Sequence, residues 1–368
     1  MTTKYKMGSN LRLDMLEGII DLNCKEGTTN LINEFYGSIR QDAWLSARPE
    51  FRLPDLEDAE LENYVKECND LNITFNYTLN TISPGSKEFL AKNKKRIQDR
   101  LRYLIDIGIG RITMAHPLLM ELLREIDSNF PLEVSTIAEV RTISQIRYYK
   151  DMYNADKICL ALERNRDISW LEEAAKVANE IEVNLELLAN EFCMVGAEGY
   201  TTPCTYRTSC YEAHATDTTQ ESAENFNCYP MDRCMTARAQ SKSAYLKSKF
   251  IRPEDVKRYH DIGIRHMKIT GRTGSTDYIL KMAEAYLAEK YEGNLLGLWK
   301  QLDTIYNHKS ELEDNTGIYI DNRELDGFMN YWFQKRDFRC AEKDCGYECS
   351  YCDNFLEWGE KREVFFEK

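Results

Sequence analysis

The chain has 368 residues, a length that suits one α/β barrel with extensions or two to three smaller domains. Its 48 Lys and Arg against 61 Asp and Glu leave a net charge of −13, which argues against broad contact with nucleic acid or anionic lipid. Hydrophobic residues at 43% and charged residues at 30% exclude the disordered and fibrous classes.

At the N-terminus, Met1 to Lys6 has no apolar core of a signal peptide behind it, and no apolar run reaches the roughly 18 residues of a membrane span. The expected location is the cytosol. The stretch Leu16 to Leu22 is expected to add a strand. Arg48 to Pro54, with its two prolines, reads as an irregular entry loop, and the acidic stretch Asp55 to Asn69 as a surface helix. From residue 70 onward, short apolar runs alternate with helical patterns. The predicted strands are Ile73 to Leu79, Arg111 to Met114, Leu132 to Ser135, Lys157 to Leu162, Val183 to Leu188 and His266 to Thr270. The predicted helices between them include Lys87 to Leu104, Leu118 to Ile126, Leu171 to Ile181 and Asp277 to Tyr291. Strand followed by helix, repeated, means a parallel sheet covered by helices, so the expected fold is α/β and TIM-barrel-like, complete or distorted, with a doubly wound open sheet as the alternative. Past Leu295 the chain turns helical and then irregular, with Ile318 to Asp321 as an edge strand. The expected organisation is 1–70 as barrel start and surface helix, 71–300 as barrel core with an inserted cysteine loop at 193–234, and 301–368 as a cysteine-bearing extension docked on the barrel.

Polar residues fall where these strands end: Asn76, Asn80, His116, Ser135, Thr136, Glu163, Arg164, Glu191, Lys268 and Arg272. In a parallel barrel the C-terminal ends of the strands form the reactive face. Each residue alone has an equally good reading as a helix cap or loop partner; their agreement is the stronger point.

Twelve cysteines in a chain of this kind point to metal before disulfides. Cys24, Cys68 and Cys159 are scattered, and Cys159 lies in an apolar run where a small buried hydrophobe is expected. Cys340, Cys345, Cys349 and Cys352 put four thiols in one short stretch, a donor set suited to an iron–sulfur cluster or, as the alternative, a structural zinc. Cys193, Cys204, Cys210, Cys228 and Cys234 are more widely spaced and meet only if the fold gathers them; redox chemistry of a pair is the other reading.

Other motifs are missing. The five histidines show no HExxH spacing, and there is no phosphate-cradling GxGxxG after a strand, no GxxxxGK[ST] and no Gly-x-Ser-x-Gly elbow. The tyrosines are dispersed over helical faces, as packing residues are.

Asn76-Tyr-Thr-Leu-Asn80, Asp106-Ile-Gly108, His116-Pro117, Val134-Ser-Thr136, Asn190-Glu-Phe-Cys193 and Pro203-Cys204-Thr-Tyr-Arg207 resemble, in order, the collagenase-like peptidase family U32. Phe250 to Asp255, Gly263 to Arg272 and Tyr291 to Leu295 resemble its second half, so the similarity spans about residues 70 to 300. The cysteine tail resembles an extension of one branch. The resemblance implies a TIM-barrel-like core holding a four-iron, four-sulfur cluster through Cys193, Cys204, Cys228 and Cys234, with Cys210 competing for the fourth place. It also implies an oxygen-independent hydroxylation, as in relatives that act on a ubiquinone precursor or on RNA bases, some of them with prephenate as oxygen donor. Such chemistry needs cations to hold an acidic partner, for which Arg164, Arg207, Lys268 and Arg272 are the candidates, and a proton carrier, for which Glu163 or Glu191 is. Asn76, Asn80, His116 and Thr136 are expected to line the substrate site. A small molecule or peptide is the expected substrate, with RNA disfavoured by the charge; a metal-dependent or atypical peptidase and a non-catalytic electron-delivery or scaffold subunit that binds a protein partner are the alternatives.

Overall fold

The computed structural model describes residues 2–25, 30–48, 50–193, 195, 234, 242–299, 319–343 and 345–355. Eight parallel strands close into one barrel: β1 Lys4–Gly8, β2 Leu31–Gly37, β3 Thr74–Leu79, β4 Arg111–Met114, β5 Leu132–Val134, β6 Lys157–Cys159, β7 Asn184–Leu188 and β8 His266–Ile269. Each pairs with its sequence neighbour, and β8 closes on β1 with Lys6 opposite Lys268. The β1–β2 register slips between Tyr5 and Lys6, which leaves Lys6 opposite Glu34.

The helices cover the barrel: α1 Leu13–Asn23, α2 Asp58–Asp70, α3 Ala91–Asp106, α4 Pro117–Ile126, α5 Ile143–Tyr153, α6 Ile168–Glu180, α7 Lys242–Leu246, α8 Val256–Asp261 and α9 Thr276–Leu287. Their starts follow ordinary chemistry. Thr142 and Gln145 form a reciprocal capping box on α5, and His116 caps α4 ahead of Pro117.

The strands alternate, apart from the irregularity in β2 opposite Tyr5 and Lys6. Outward positions are apolar and meet the helices: the Phe75 ring lies edge-on to Tyr64 of α2 at 5.6 Å, and Tyr5 meets Tyr286 of α9 at 6.1 Å. Burial of each such side chain contributes about 1.5–3 kcal/mol. Inward positions carry Lys6, Glu34, Asn76, Thr113, Glu133, Lys157, Glu186 and Lys268, all buried. The interior of a barrel of this kind is ordinarily packed with branched aliphatic side chains; this one is filled with charge.

Two expectations for the ends of the chain are corrected. Leu16 to Leu22 lies within α1 instead of forming a strand, because Met15, Leu16 and Ile19 recur at helical spacing and are the buried face. The first two strands are β1 and β2, on either side of it. Ile318 lies outside the described residues, and Asp321 makes only an isolated antiparallel bridge to Asn294. Residues 319–343 and 345–355 pack against the barrel flank, with α10 Asn330–Gln334 and α11 Tyr351–Asn354. Here the buried Arg166 guanidinium lies over Trp332 at 4.6 Å and Phe328 at 5.1 Å. No helix among the described residues is long and apolar enough to cross a membrane.

Candidate functional site

The charges inside the barrel are placed by strands far apart in the chain. Lys6 bridges Glu133 across the barrel and reaches Glu186 at 2.6 Å. Lys157 pairs with Glu34, and Arg111 pairs with Glu34 at 3.1 Å and with Asp156 at the N-terminal rim. Asn76 donates to Glu34 at 2.7 Å and to Glu133 at 2.9 Å, and accepts from Thr113 at 2.7 Å. Burial would strip Lys6 of its proton, but Glu133, Glu186 and Glu34 hold its pKa above the ordinary lysine value. Burial works against the charge on Glu34 as well, and Lys157, Lys6 and Arg111 more than offset it, keeping its carboxyl below the usual range. His266, beside Lys157, is pushed down to about 3 by burial first and by that cation second.

Toward the C-terminal mouth the balance changes. Lys268 is 5% exposed, and its ammonium lies 4.4 Å from the centre of the Tyr36 ring. Burial, and then Lys6, lower its pKa. Arg272 donates to Thr78 Oγ1 at 2.8 Å and lies 5.9 Å from the same ring. Burial, with Arg48 as the next cause, brings its pKa down to about 9. Among the described residues neither Lys268, Arg272 nor Arg48 forms a salt bridge with a carboxylate, although Glu133 and Glu186 act on Lys268 from within the barrel and partly offset the lowering of its pKa. Gly8 makes room for Arg272 here, since a Cβ there would stand 2.8 Å from the Arg272 backbone nitrogen.

Cys193 comes five residues after the end of β7 and is half-buried against Cys159, Leu162, Leu188 and Val195. Burial first, and Glu186 next, push the Cys159 thiol up to about 12. Glu191 Oε1 accepts from the backbone N–H of Phe192 at 2.8 Å and of Cys193 at 3.2 Å, so this carboxylate shapes the turn that presents Cys193. Cys204, Arg207, Cys210 and Cys228 lie outside the described residues; Cys234 is half-buried.

The other predicted site residues have partners of their own. Asn76 is spent in the interior network. Asn80 accepts from Ala47 N at 3.2 Å and reaches Ser135 Oγ at 3.4 Å. His116 Nδ1 accepts from Leu118 N, and its Nε2 faces Glu88 at 3.5 Å. Thr136 donates to Leu160 O at 2.9 Å. Glu163 is buried against Arg141. Arg164 pairs with Asp167 at 2.8 Å and points toward Glu342 of the tail at 3.7 Å.

The tail thiols form a separate neighbourhood. Burial raises the Cys352 thiol to about 12, with Arg166 and Lys249 opposing and Cys340 and Cys345 reinforcing the shift, while Cys349, Cys340 and Cys352 all act on Tyr331. Among the described residues no three His, Cys, Asp or Glu side chains stand at metal-ligand spacing. The four tail thiols lie in one neighbourhood and the nearby carboxylates are occupied, Glu348 by Lys343 at 3.4 Å and Asp353 by Lys247 at 2.8 Å, but the thiols do not converge on one point as a metal site requires.

Sequence reasoning missed Lys6, Glu34, Arg111, Glu133, Lys157, Glu186, Tyr36 and Arg48. The signal was present for the strand residues. A parallel strand buried on both faces reads as a continuous apolar run, whereas Lys-Tyr-Lys-Met and Asn-Leu-Glu-Leu-Leu alternate polar with apolar.

Comparison with known proteins places the chain. The family model for peptidase family U32 matches residues 42–292. An uncharacterized protease of Methanocaldococcus jannaschii is 27% identical over 314 residues, covering 84% of this chain and 82% of that protein. Among solved structures, a U32 peptidase aligns at a TM-score of 0.48 and 14% identity over 74% of this chain and 93% of its own. A cyclic maltosyl-maltose hydrolase of Arthrobacter globiformis aligns at a TM-score of 0.33 and 11% identity over 58% of this chain and 70% of its own. With the family model spanning more than half its length, the chain belongs to peptidase family U32.

Proposed function

We propose that this member of the family is an iron–sulfur enzyme that carries out an oxygen-independent hydroxylation, or a related modification, of an acidic small molecule or a peptide. The observation that carries the reading is the position of Cys193. It follows β7 at the C-terminal end of the barrel, the reactive end of such folds, on a turn held by Glu191 and packed against Cys159. Cys193, with Cys204, Cys228 and either Cys234 or Cys210, would hold a four-iron cluster. When bound, the cluster supplies one-electron chemistry at the mouth.

The protein's own contributions follow from the geometry. Lys268 and Arg272 bind and orient the anionic group of the substrate or oxygen donor, since neither forms a salt bridge with a carboxylate among the described residues. The Tyr36 ring, which donates its hydroxyl to Ile269 O at 3.3 Å, forms the floor beneath both. Glu191 fixes the Cys193 turn, and Glu163, held by Arg141 in the loop after β6, is the remaining proton carrier. The tail cysteines would hold a second metal group, iron–sulfur or zinc, only on drawing closer together than they stand here.

Peptidase activity is the reading that the family name favours. A nucleophile–base pair would support it, but the His116 nitrogens are committed to Leu118 N and Glu88. Anaerobic purification decides. Roughly four to eight irons per chain with broad visible absorbance are expected, and Cys193→Ser should lose about four of them. A colourless, iron-free protein that hydrolyses peptides would overturn the proposal.

A further inference from the structure

The tail reaches the Cys193 turn through one short strap, residues 246–249, at the end of α7. Tail residues hold the strap and α7 from one side: Asp353 pairs with Lys247 at 2.8 Å and accepts from Ser243 Oγ at 2.8 Å, and Cys352 Sγ donates to Leu246 O at 3.6 Å. On the other side Ser248 Oγ donates to the carbonyl of Phe192 at 2.7 Å, and Phe192 precedes Cys193. Asn165, in the loop after β6, pins the strap to β7 by donating to Leu188 O at 2.9 Å and to Lys249 O at 2.7 Å.

Arg166 stands where these contacts cross. It is fully buried, and its guanidinium lies over the rings of Trp332 at 4.6 Å and Phe328 at 5.1 Å, both from the tail, and of Phe250 at 5.5 Å, the residue after the strap. Nη2 donates to Ser248 O, and Nη1 donates to Cys352 Sγ at 3.7 Å. Among the described residues Arg166 forms no salt bridge with a carboxylate, and its Nε has no hydrogen-bond partner. A charge buried in this way is costly, and an apolar side chain of similar length would fill the aromatic cage at less cost. What such a side chain could not do is grip the Ser248 carbonyl with a directional hydrogen bond.

We infer that the tail is a clamp on the barrel mouth, and that Arg166 and Ser248 are positioning residues that carry its seating to the Cys193 turn. The turn is then held from two directions: Glu191 caps its backbone N–H groups from within, and Ser248 holds the carbonyl of Phe192 from the strap. The Phe192 ring also lies against Trp299, which stacks with Tyr245 of α7, so turn and strap share one packed wall. The tail touches the neighbouring loop as well, where Asp167 accepts from the backbone N–H of Ala341 at 3.3 Å. Lifting the tail would therefore loosen the Cys193 turn. By linkage, a ligand that needs the turn in place would bind more tightly with the tail seated. The clamp is a property of the chain's own contacts and does not depend on what the Cys193 thiol binds.

Amide hydrogen exchange on the full chain, read by mass spectrometry, tests the clamp without recourse to iron or activity. Ser248→Ala should speed exchange in segment 189–193 roughly fivefold, the effect of losing one hydrogen bond, and leave α4, on another sector of the barrel, at its wild-type rate. Ser248→Thr keeps a hydroxyl and should restore the protection. Arg166→Met refills the aromatic cage with an apolar side chain, and it too should loosen segment 189–193 while α4 is unchanged. Trp332→Leu, a change in the tail alone, should speed exchange in α10 and in segment 189–193 together. A turn that exchanges at the wild-type rate in Ser248→Ala, or a tail loosened by Trp332→Leu beside an unchanged turn, overturns the clamp. Equal acceleration in α4 and in the turn also overturns it, since that is what a general loss of stability produces. If Arg166→Met does not fold, Ser248→Ala and Trp332→Leu still decide.

Discussion

The two ends of the barrel interior handle charge differently. In the lower part each ion is answered: Lys6 by Glu133 and Glu186, Lys157 by Glu34, Arg111 by Glu34 and Asp156. At the mouth, Lys268 and Arg272 crowd the Tyr36 ring, which Lys6 also approaches at 5.6 Å, and neither they nor Arg48 forms a salt bridge with a carboxylate among the described residues. Paired buried ions hold a shape. Unpaired ones cost free energy in the isolated protein, and a ligand of opposite charge can offset that cost. The lower network is therefore scaffold, and the mouth is where binding is expected.

The comparison breaks most readily at Lys6. Lys6→Met would leave buried Glu133 and Glu186 with only the more distant Lys157, at 4.0 and 3.7 Å, and the loss should be about 3 kcal/mol in urea unfolding. Pairing the change with Glu186→Leu removes one charge of each sign and should recover at least about 1 kcal/mol. A Lys6→Met cost below about 1 kcal/mol would mean that the interior ions are not mutually dependent.

Gly8→Ala tests the upper end through packing. The new methyl would stand 2.8 Å from the Arg272 backbone nitrogen and 3.0 Å from its Cβ, so the segment after β8 must move. The expected cost is about 1–3 kcal/mol, with the lower ion pairs untouched. A neutral result would show that Arg272 is not seated as tightly as this contact requires.

His266 separates the two ends by pH. Its folded pKa of about 3 lies below the ordinary 6.5, so below pH 6.5 the unfolded chain takes up a proton that the folded one refuses. Its contribution is full above pH 6.5 and is lost as the pH falls toward 3, with a slope of up to about 1.4 kcal/mol per unit. Glu34 and Glu186, whose pKa values are also depressed, keep their contributions down to the ordinary carboxylate pKa of 4.5 and lose them only below it. Between pH 6.5 and 4.5 the decline should thus come from His266, and His266→Asn should flatten it. An unchanged slope in that variant would refute the assignment.

Much of the barrel was legible from residue 73 onward, because strands such as Arg111–Met114 and helices such as Pro117–Ile126 keep their periods and their boundaries. β1 and β2 were not legible. β1 is a five-residue strand whose inward lysines look like surface residues until the opposite wall is known, and Glu133, the partner of Lys6, is 127 positions away. At the site, Lys268 and Arg272 could be picked out as polar residues at a strand end. What would suit them to an anion, the lack of a salt bridge to a carboxylate among the described residues, is a three-dimensional fact. Glu191 shows the opposite case, since a carboxylate beside a cysteine reads as an acid–base group and its oxygen instead caps the turn.

Lys268 should show the smallest stability effect and the clearest functional one. Burying its ammonium without a salt bridge is unfavourable, and the Tyr36 ring centre 4.4 Å away, with Glu133 and Glu186 beyond, offsets the loss, so Lys268→Met should change stability by less than about 1 kcal/mol, with a gain as acceptable as a loss. The same substitution removes one of the cations that would meet an acidic ligand. An anion that binds the folded state raises the melting temperature by mass action, while sulfate also stabilises folded proteins in general by being excluded from their surfaces. The informative quantity is therefore the difference between the wild type and Lys268→Met at equal sulfate. A larger rise in the wild type is expected if the mouth binds anions through Lys268. Equal rises in the two would return Lys268 to the scaffold and remove the distinction between the two ends of the barrel.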